Sequence, residues 1–215
     1  VDAALGRLAA GGYDWTVFTS PSGVRLFFEH LFETGDIRAL AGVKIAAIGE
    51  GTCRELRKVG LRADFVPSVY DAETLGNELA AVCAPGARLL IPRAAMGNPL
   101  LVENLRRGDG LVIDEVPLYD TRYASSRVLD LKEILETGEA DFAVFTSAST
   151  VRGFAGAAGD ADLTKVRAVC IGRQTEAEAK KRGMRTWTAE KATLDSLCDR
   201  LEQAAAALRA AEPAR

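Results

Sequence analysis

Hydroxyl and glycine residues recur at four places in this chain where a strand-like apolar run gives way to a helical period. They are Thr19-Ser20-Pro21-Ser22-Gly23, Gly49-Glu50-Gly51-Thr52, Ser147-Ala148-Ser149 and Gly172-Arg173-Gln174-Thr175. A helix start leaves backbone N–H groups without partners and carries the positive end of the helix dipole, so such loops suit anions. The candidate binding residues are therefore Thr19, Ser20, Ser22, Gly49, Thr52, Ser147, Ala148, Ser149, Gly172 and Thr175. Guanidinium groups pair well with carboxylates, which adds Arg93 and, beside the loops, Arg25, Arg152 and Arg173. Each type also has a purely structural use. Serines before a helix serve as loop polars, arginines lie along solvated helix faces, and Thr52 and Thr175 fit helix caps.

Other chemistries find less support. A Ser/His/Asp triad would have to use the one histidine, His30, which lies in a helical pattern among Phe27, Phe28, Leu31 and Phe32. Cys53, Cys83, Cys170 and Cys198 form no CxxC pair, so they suggest neither a metal site nor a thioredoxin-type motif and are expected as buried free thiols. Neither GxGxxG nor GxxxxGK[ST] occurs, which argues against a nucleotide-dependent enzyme. With 27 Lys and Arg against 30 Asp and Glu the formal net charge is −3, which argues against a nucleic-acid partner. No apolar window of about 18 residues exists and the opening residues carry no signal pattern, so a cytoplasmic protein without a membrane partner is expected.

The elements that must position the loops come in two copies. YDWTVFTSPSGVRLFF at 13–28 matches ADFAVFTSASTVRGFA at 140–155, and VKIAAIGEGTCRELRKVGLR at 43–62 matches VRAVCIGRQTEAEAKKRGMR at 166–185. A third block pairs Thr74-Leu75 with Thr193-Leu194, each following a strand-like piece at 63–66 or 185–188. Residues 15–19 and 142–146 are short apolar runs suited to strands buried on both faces. Val24, Phe27, Phe28, Leu31 and Phe32 then fall on one helix face. Thr52 to Glu55 and Thr175 to Glu178 read as capping boxes, with Gly60 and Gly183 ending those helices. Alternating strand and helix implies an α/β fold with parallel sheets covered on both sides.

The copies are unequal. The first has an additional unit, with strand-like stretches at 88–93 and 111–119 around a helix at 100–105, that the second lacks. We expect a first domain at 1–117, complete and inserted into a second at 122–215. The second would lack an N-terminal strand-helix unit of roughly 35–50 residues. Residues 114–121 are expected to form one strand of the interdomain linker. The incomplete second sheet would present an unpaired edge able to recruit another chain.

In that order and spacing, FTSPSGV, AAIGEGT, the segment from Tyr70 through Glu73 to Leu75, LLIPRA, VPLYDT, FTSAST and CIGRQTEAEAKKRGM resemble the uroporphyrinogen-III synthase family. The likeness spans essentially the whole chain apart from the family's opening strand-helix unit. It implies two flavodoxin-like α/β domains from an internal repeat, joined by a two-stranded linker. It further implies a cofactor-free and metal-free lyase of tetrapyrrole biosynthesis whose substrate is hydroxymethylbilane. The family enzyme removes a hydroxyl as water and closes the ring while inverting the last pyrrole. A monomer is expected at full length, and a fusion to a uroporphyrinogen methyltransferase, as in some bacterial relatives, fits a chain of this kind.

The resemblance also singles out Tyr119, which matches the family's tyrosine at the interdomain connection and is the candidate catalytic residue. A phenol keeps its proton at neutral pH and can donate it, or a hydrogen bond, to a departing hydroxyl. Most of the rate is expected from positioning a floppy octacarboxylate rather than from any one side chain. The alternative is a non-catalytic two-lobed sensor that binds an anion or a tetrapyrrole. Turnover separates the two.

Overall fold

The structure is a computed structural model that describes residues 1–120 and 130–211. The chain divides into two compact units, Val1–Thr121 and Arg122–Arg215.

In the first unit a four-stranded parallel sheet is built from β1 (Trp15–Phe18), β2 (Lys44–Ala47), β3 (Arg88–Ala94) and β4 (Val112–Tyr119), in the order β2-β1-β3-β4. Six helical segments surround it: α1 (Asp2–Ala9), α2 (Pro21–Thr34), a 3-10 turn (Ile37–Leu40), α3 (Glu50–Lys58), α4 (Ala72–Val82) and α5 (Pro99–Leu105). Strand period decides the layers. Trp15 and Val17 face one cluster, with Leu75 and Leu79 of α4 and Leu101 and Leu105 of α5. Phe18 turns the other way, toward Leu8 of α1, Phe27, Phe28 and Leu31 of α2 and Leu56 of α3. Each such fully buried side chain contributes about 1.5–3 kcal/mol. All four residues of β1 are buried, as expected for a central strand covered on both faces.

Several sequence expectations change in detail. Phe32 is 50 % exposed, because it lies at the margin of the α2 stripe and only leans on Phe28, with ring centroids 5.6 Å apart. The piece at 63–66 is not a strand; it contributes a single parallel bridge, Ala46↔Phe65. The stretch 114–121 is, as far as Tyr119, the edge strand of the first sheet, in register with β3 from Arg88↔Val112 to Ala94↔Tyr119. Thr121 lies outside the described residues. Gly60 ends α3 as expected: at φ +81° it lets its own N–H reach the Arg57 carbonyl and the Leu61 N–H reach that of Leu56. Gly183 and Met184 repeat the pattern on Lys180 and Ala179 after α8 (Arg173–Lys180).

The second unit has a three-stranded parallel sheet of β5 (Ala143–Phe145), β6 (Arg167–Cys170) and β7 (Arg185–Thr188), ordered β5-β6-β7. With it lie α6 (Leu131–Thr137), α7 (Ala148–Ala158), a 3-10 turn (Leu163–Lys165), α8 and α9 (Leu194–Ala211). Phe145, Val151, Ala168, Cys170, Ala179 and Met184 form its main core, and Val169 packs with Leu197 on the opposite face.

Candidate functional site

In the first unit the carboxyl ends of the strands converge on one set of loops, where ligands bind in open parallel sheets. The Ser20 side chain caps α2, accepting from the Gly23 N–H at 2.9 Å, and Pro21 occupies the first helical position. Ser20 Oγ also lies 3.1 Å from the Tyr119 hydroxyl at the end of β4. A shift in register between Arg93 and Ala94 leaves Leu118 as an extra residue in β4. Such a bulge re-aims the end of a strand. Leu118 packs toward the same core as Phe27 and Phe28, and Tyr119 reaches Ser20 at the start of α2. The Tyr119 carbonyl is held by the Ala95 N–H at 2.9 Å.

This pairing has a chemical consequence. The Ser20 oxygen accepts from a backbone donor, and either hydroxyl of the Ser20–Tyr119 pair can donate to the other. When Ser20 donates, the Tyr119 proton is free to be given elsewhere. Thr19 and Ser22 are half-buried beside the pair.

Thr52 and Thr175 are not caps. Helix α3 starts at Glu50 and α8 at Arg173, which puts both threonines at the third helical position, buried. Gly49 and Gly172 occupy the cap positions in extended backbone, and neither helix has a side-chain cap. The intended box partners are engaged elsewhere: Glu55 with Lys58 at 2.7 Å, and Glu178 with Arg182. Among the described residues the first-turn N–H groups of α3 and α8 have no side-chain acceptor, which is the arrangement that suits an anion. Gly49 is glycine because of a close approach: a Cβ there would lie 2.8 Å from Cγ of Tyr70. Sequence reasoning passed over Tyr70 as a site residue, since nothing local shows which ring will cover a loop glycine.

Arg93 is engaged at least in part inside the protein. It is buried, its Nη1 donates to the Asn98 carbonyl at 2.8 Å, and its Nη2 pairs with Glu115 on β4. A buried guanidinium satisfied inside the protein avoids the cost of an unpaired charge. Arg93 therefore fixes the loop 94–98, whose Ala95 in turn holds Tyr119. Arg25 is exposed on α2, with Nε 3.8 Å from Glu29.

In the second unit Ser147 caps α7 in a capping box with Thr150, and Ser147 Oγ lies 2.8 Å from Ser149 Oγ. Ala148 is the first residue of that helix. Arg152 Nη1 is 3.6 Å from Glu178, and Arg173 is exposed at the start of α8.

Several other titratable groups are paired or buried within their own units. Near the amino ends of β1 and β4, Arg7 Nε donates to the Tyr13 hydroxyl at 3.0 Å, and both residues bond to Asp114. Burial tends to raise the Asp114 carboxyl, but the hydrogen bonds from Tyr13 and Arg7 outweigh it and hold the group below its usual range. Cys53 and Cys170 are buried, Cys83 is half-buried at the margin of the cluster around Leu75 and Leu79, and Cys198 is exposed. Burial pushes the Cys170 thiol up to about 11, so it is a poor nucleophile. His30 Nδ1 sits 3.7 Å from Glu33 on α2. Among the described residues no cluster of three or more His, Cys, Asp or Glu could hold a metal ion, and no helix is long and apolar enough to cross a membrane.

Comparison with known proteins gives this geometry a context. Residues 1–199 match the family model described as uroporphyrinogen-III synthase HemD. The "porphyrin biosynthesis protein HemD" of Ruminiclostridium josui is 38% identical over 190 residues, which is 88% of this chain and 38% of that protein. The chain thus spans well under half the length of that relative. The uroporphyrinogen-III synthase of Synechococcus elongatus is 28% identical over 211 residues, covering 94% of this chain and 79% of that protein. Among solved structures, a mutant uroporphyrinogen III synthase from Thermus thermophilus shares the fold, with TM-score 0.67 at 23% identity over 95% of this chain and 81% of that one.

Proposed function

The chain belongs to the uroporphyrinogen-III synthase family, and from that premise we propose that it converts hydroxymethylbilane to uroporphyrinogen III in tetrapyrrole biosynthesis. The net change is loss of one water with ring closure, a hydro-lyase reaction that alters no oxidation level and calls for no redox partner. The observation that carries the proposal is the Ser20–Tyr119 pair at 3.1 Å, at the carboxyl end of the first sheet.

In this reading the Tyr119 hydroxyl gives its proton, or a strong hydrogen bond, to the departing hydroxyl of the bilane. The C–O bond breaks as the adjacent pyrrole nitrogen releases its electron pair, and water leaves. The substituted alpha carbon of the last ring then attacks the exposed methylene to give a spiro intermediate. The older bond from that carbon to the bridging methylene of the neighbouring ring breaks, the freed methylene is captured by the unsubstituted alpha carbon of the same ring, and loss of the proton there restores the pyrrole with the ring inverted. Ser20 orients the phenol. Candidate carboxylate contacts are, within the first unit taken by itself, the hydroxyls of Thr19 and Ser22 and the helix start at Gly49–Thr52, and, within the second taken by itself, the hydroxyls of Ser147 and Ser149, backbone at Ala148 and the helix start at Gly172–Thr175. Arg93 is a positioning residue in this scheme.

We also read the two units as duplicated flavodoxin-like lobes. Support comes from the shared order of strand, helix, strand, helix, with β1/β2 and β5/β6 both parallel. Matching glycine-ended helices, α3 and α8, add to it.

The test is to supply hydroxymethylbilane to the 215-residue chain, oxidise the products and separate the isomers. Isomer III above the uncatalysed background supports the proposal. Isomer I alone, at the spontaneous rate, refutes it and leaves a non-catalytic binder.

A further inference from the structure

Tyr70 lies in a segment that leaves the first sheet from the same end as the loops described above. Phe65 runs parallel to Ala46, with the Ala47 N–H donating to the Phe65 carbonyl at 2.9 Å, so residues 66–71 depart past the carboxyl end of β2. The segment is braced rather than loose. The Ser68 N–H donates to Glu78 at 2.9 Å, the Asp71 N–H to the Val69 carbonyl at 2.8 Å, and Asp71 caps α4 by accepting from the Thr74 N–H at 2.7 Å. Held this way, the Tyr70 ring rests on Gly49, whose φ of 176° is open to any residue. What demands glycine there is the ring, at 2.8–3.0 Å from where a Cβ would stand.

Packing on Gly49 covers only part of the ring and leaves the rest open to a ligand. Tyr70 is 37 % exposed, its neighbour Val69 is 44 % exposed, and the Tyr70 hydroxyl has no hydrogen-bond partner among the described residues. The counterpart glycine in the second unit has no such cover among the described residues, where a Cβ on Gly172 would meet only Ala192, at 4.0 Å.

We propose that Tyr70 is a substrate-contacting residue whose ring, seated on Gly49, packs against one pyrrole ring of the tetrapyrrole. This rests on the function proposed above and adds an apolar contact to a site otherwise made of hydroxyls and backbone donors. A flat face suits an electron-rich heteroaromatic ring, and the contact is made equally in ground and transition states. It should therefore act on affinity rather than on the chemical step.

The experiment measures steady-state turnover of hydroxymethylbilane by the chain and, separately, equilibrium binding of uroporphyrin III, a stable octacarboxylate that does not turn over. Tyr70→Ala is expected to raise both KM and the uroporphyrin Kd about tenfold, with kcat within about twofold. Tyr70→Phe should match the wild type. Phe32→Ala, which removes an exposed ring at the far end of α2, should change neither quantity, and circular dichroism confirms that each variant is folded. Unchanged KM and Kd in Tyr70→Ala, with an active wild type, overturn the Tyr70 contact and leave the synthase proposal standing. Tyr70-dependent uroporphyrin binding without turnover does the reverse. A wild type that neither turns over nor binds overturns both.

Discussion

The two units cap corresponding helices with serine, yet the two serines are spent differently. Ser147 is enclosed in a reciprocal box with Thr150 and bonds to Ser149, all within one turn of chain. Ser20 keeps only the cap to Gly23 and turns its remaining capacity to Tyr119, a residue 99 positions away. The glycines differ in the same sense, Gly49 lying beneath an aromatic ring and Gly172 open. One local motif can thus be satisfied by its own loop or be left to serve chemistry. The proposed proton donor, Tyr119, belongs to the first unit.

The largest expected effect comes from the scaffold of the first unit. Arg93→Ala leaves Glu115 and the Asn98 carbonyl without their partner and should cost about 2–3 kcal/mol in urea unfolding of the chain. It should also lower turnover, because the loop holding Tyr119 through Ala95 is released. A variant of wild-type stability would show that the buried guanidinium does not brace this loop.

Next is Tyr119→Phe, which removes the proposed proton donor and should lower the single-turnover rate by about 10- to 100-fold with little change in stability. Ser147→Ala sharpens the contrast with Ser20. It should cost about 1 kcal/mol of stability, the usual worth of a cap, while kcat stays within about threefold. A rate loss as large as that of Tyr119→Phe would erase the division between the units.

The smallest effect is expected at the opposite end of the first sheet. Asp114 has its carboxyl lowered in the folded state, so its contribution to stability is complete above the unfolded value near 4 and is lost as pH falls through the folded one. Asp114→Asn should therefore destabilise by under about 1 kcal/mol at pH 7, since the group is partly exposed, and the deficit should shrink below about pH 4. A deficit that does not change with pH would assign it to packing instead.

How much of this was legible in sequence follows from the range of each interaction. The buried run of β1, the caps at Ser20 and Ser147 and the glycine at the end of α3 depend on a few neighbouring residues, and the sequence pattern locates them. The capping boxes at Thr52 and Thr175 were misread for a local reason: glycine three positions earlier can also start a helix, and the glutamates had nearby lysine and arginine partners. Arg93 looked like a ligand fork because its partner Glu115 sits 22 residues on, in a neighbouring strand. The exposed Phe32 shows that a helical stripe does not reveal its own edge. Neither the bulge at Leu118 nor the seat of Tyr70 on Gly49 has a sequence signal, because both arise where separate segments meet.

The most direct measurement is a double-mutant cycle on the Ser20–Tyr119 pair, following single-turnover conversion of hydroxymethylbilane and the fraction of isomer III. The account predicts that Ser20→Ala slows the reaction by about 3- to 10-fold and Tyr119→Phe by about 10- to 100-fold. The double variant should be no slower than Tyr119→Phe alone, because the serine acts through the phenol. Losses that simply multiply, or a Tyr119→Phe variant that keeps the full rate and isomer III yield, would contradict it.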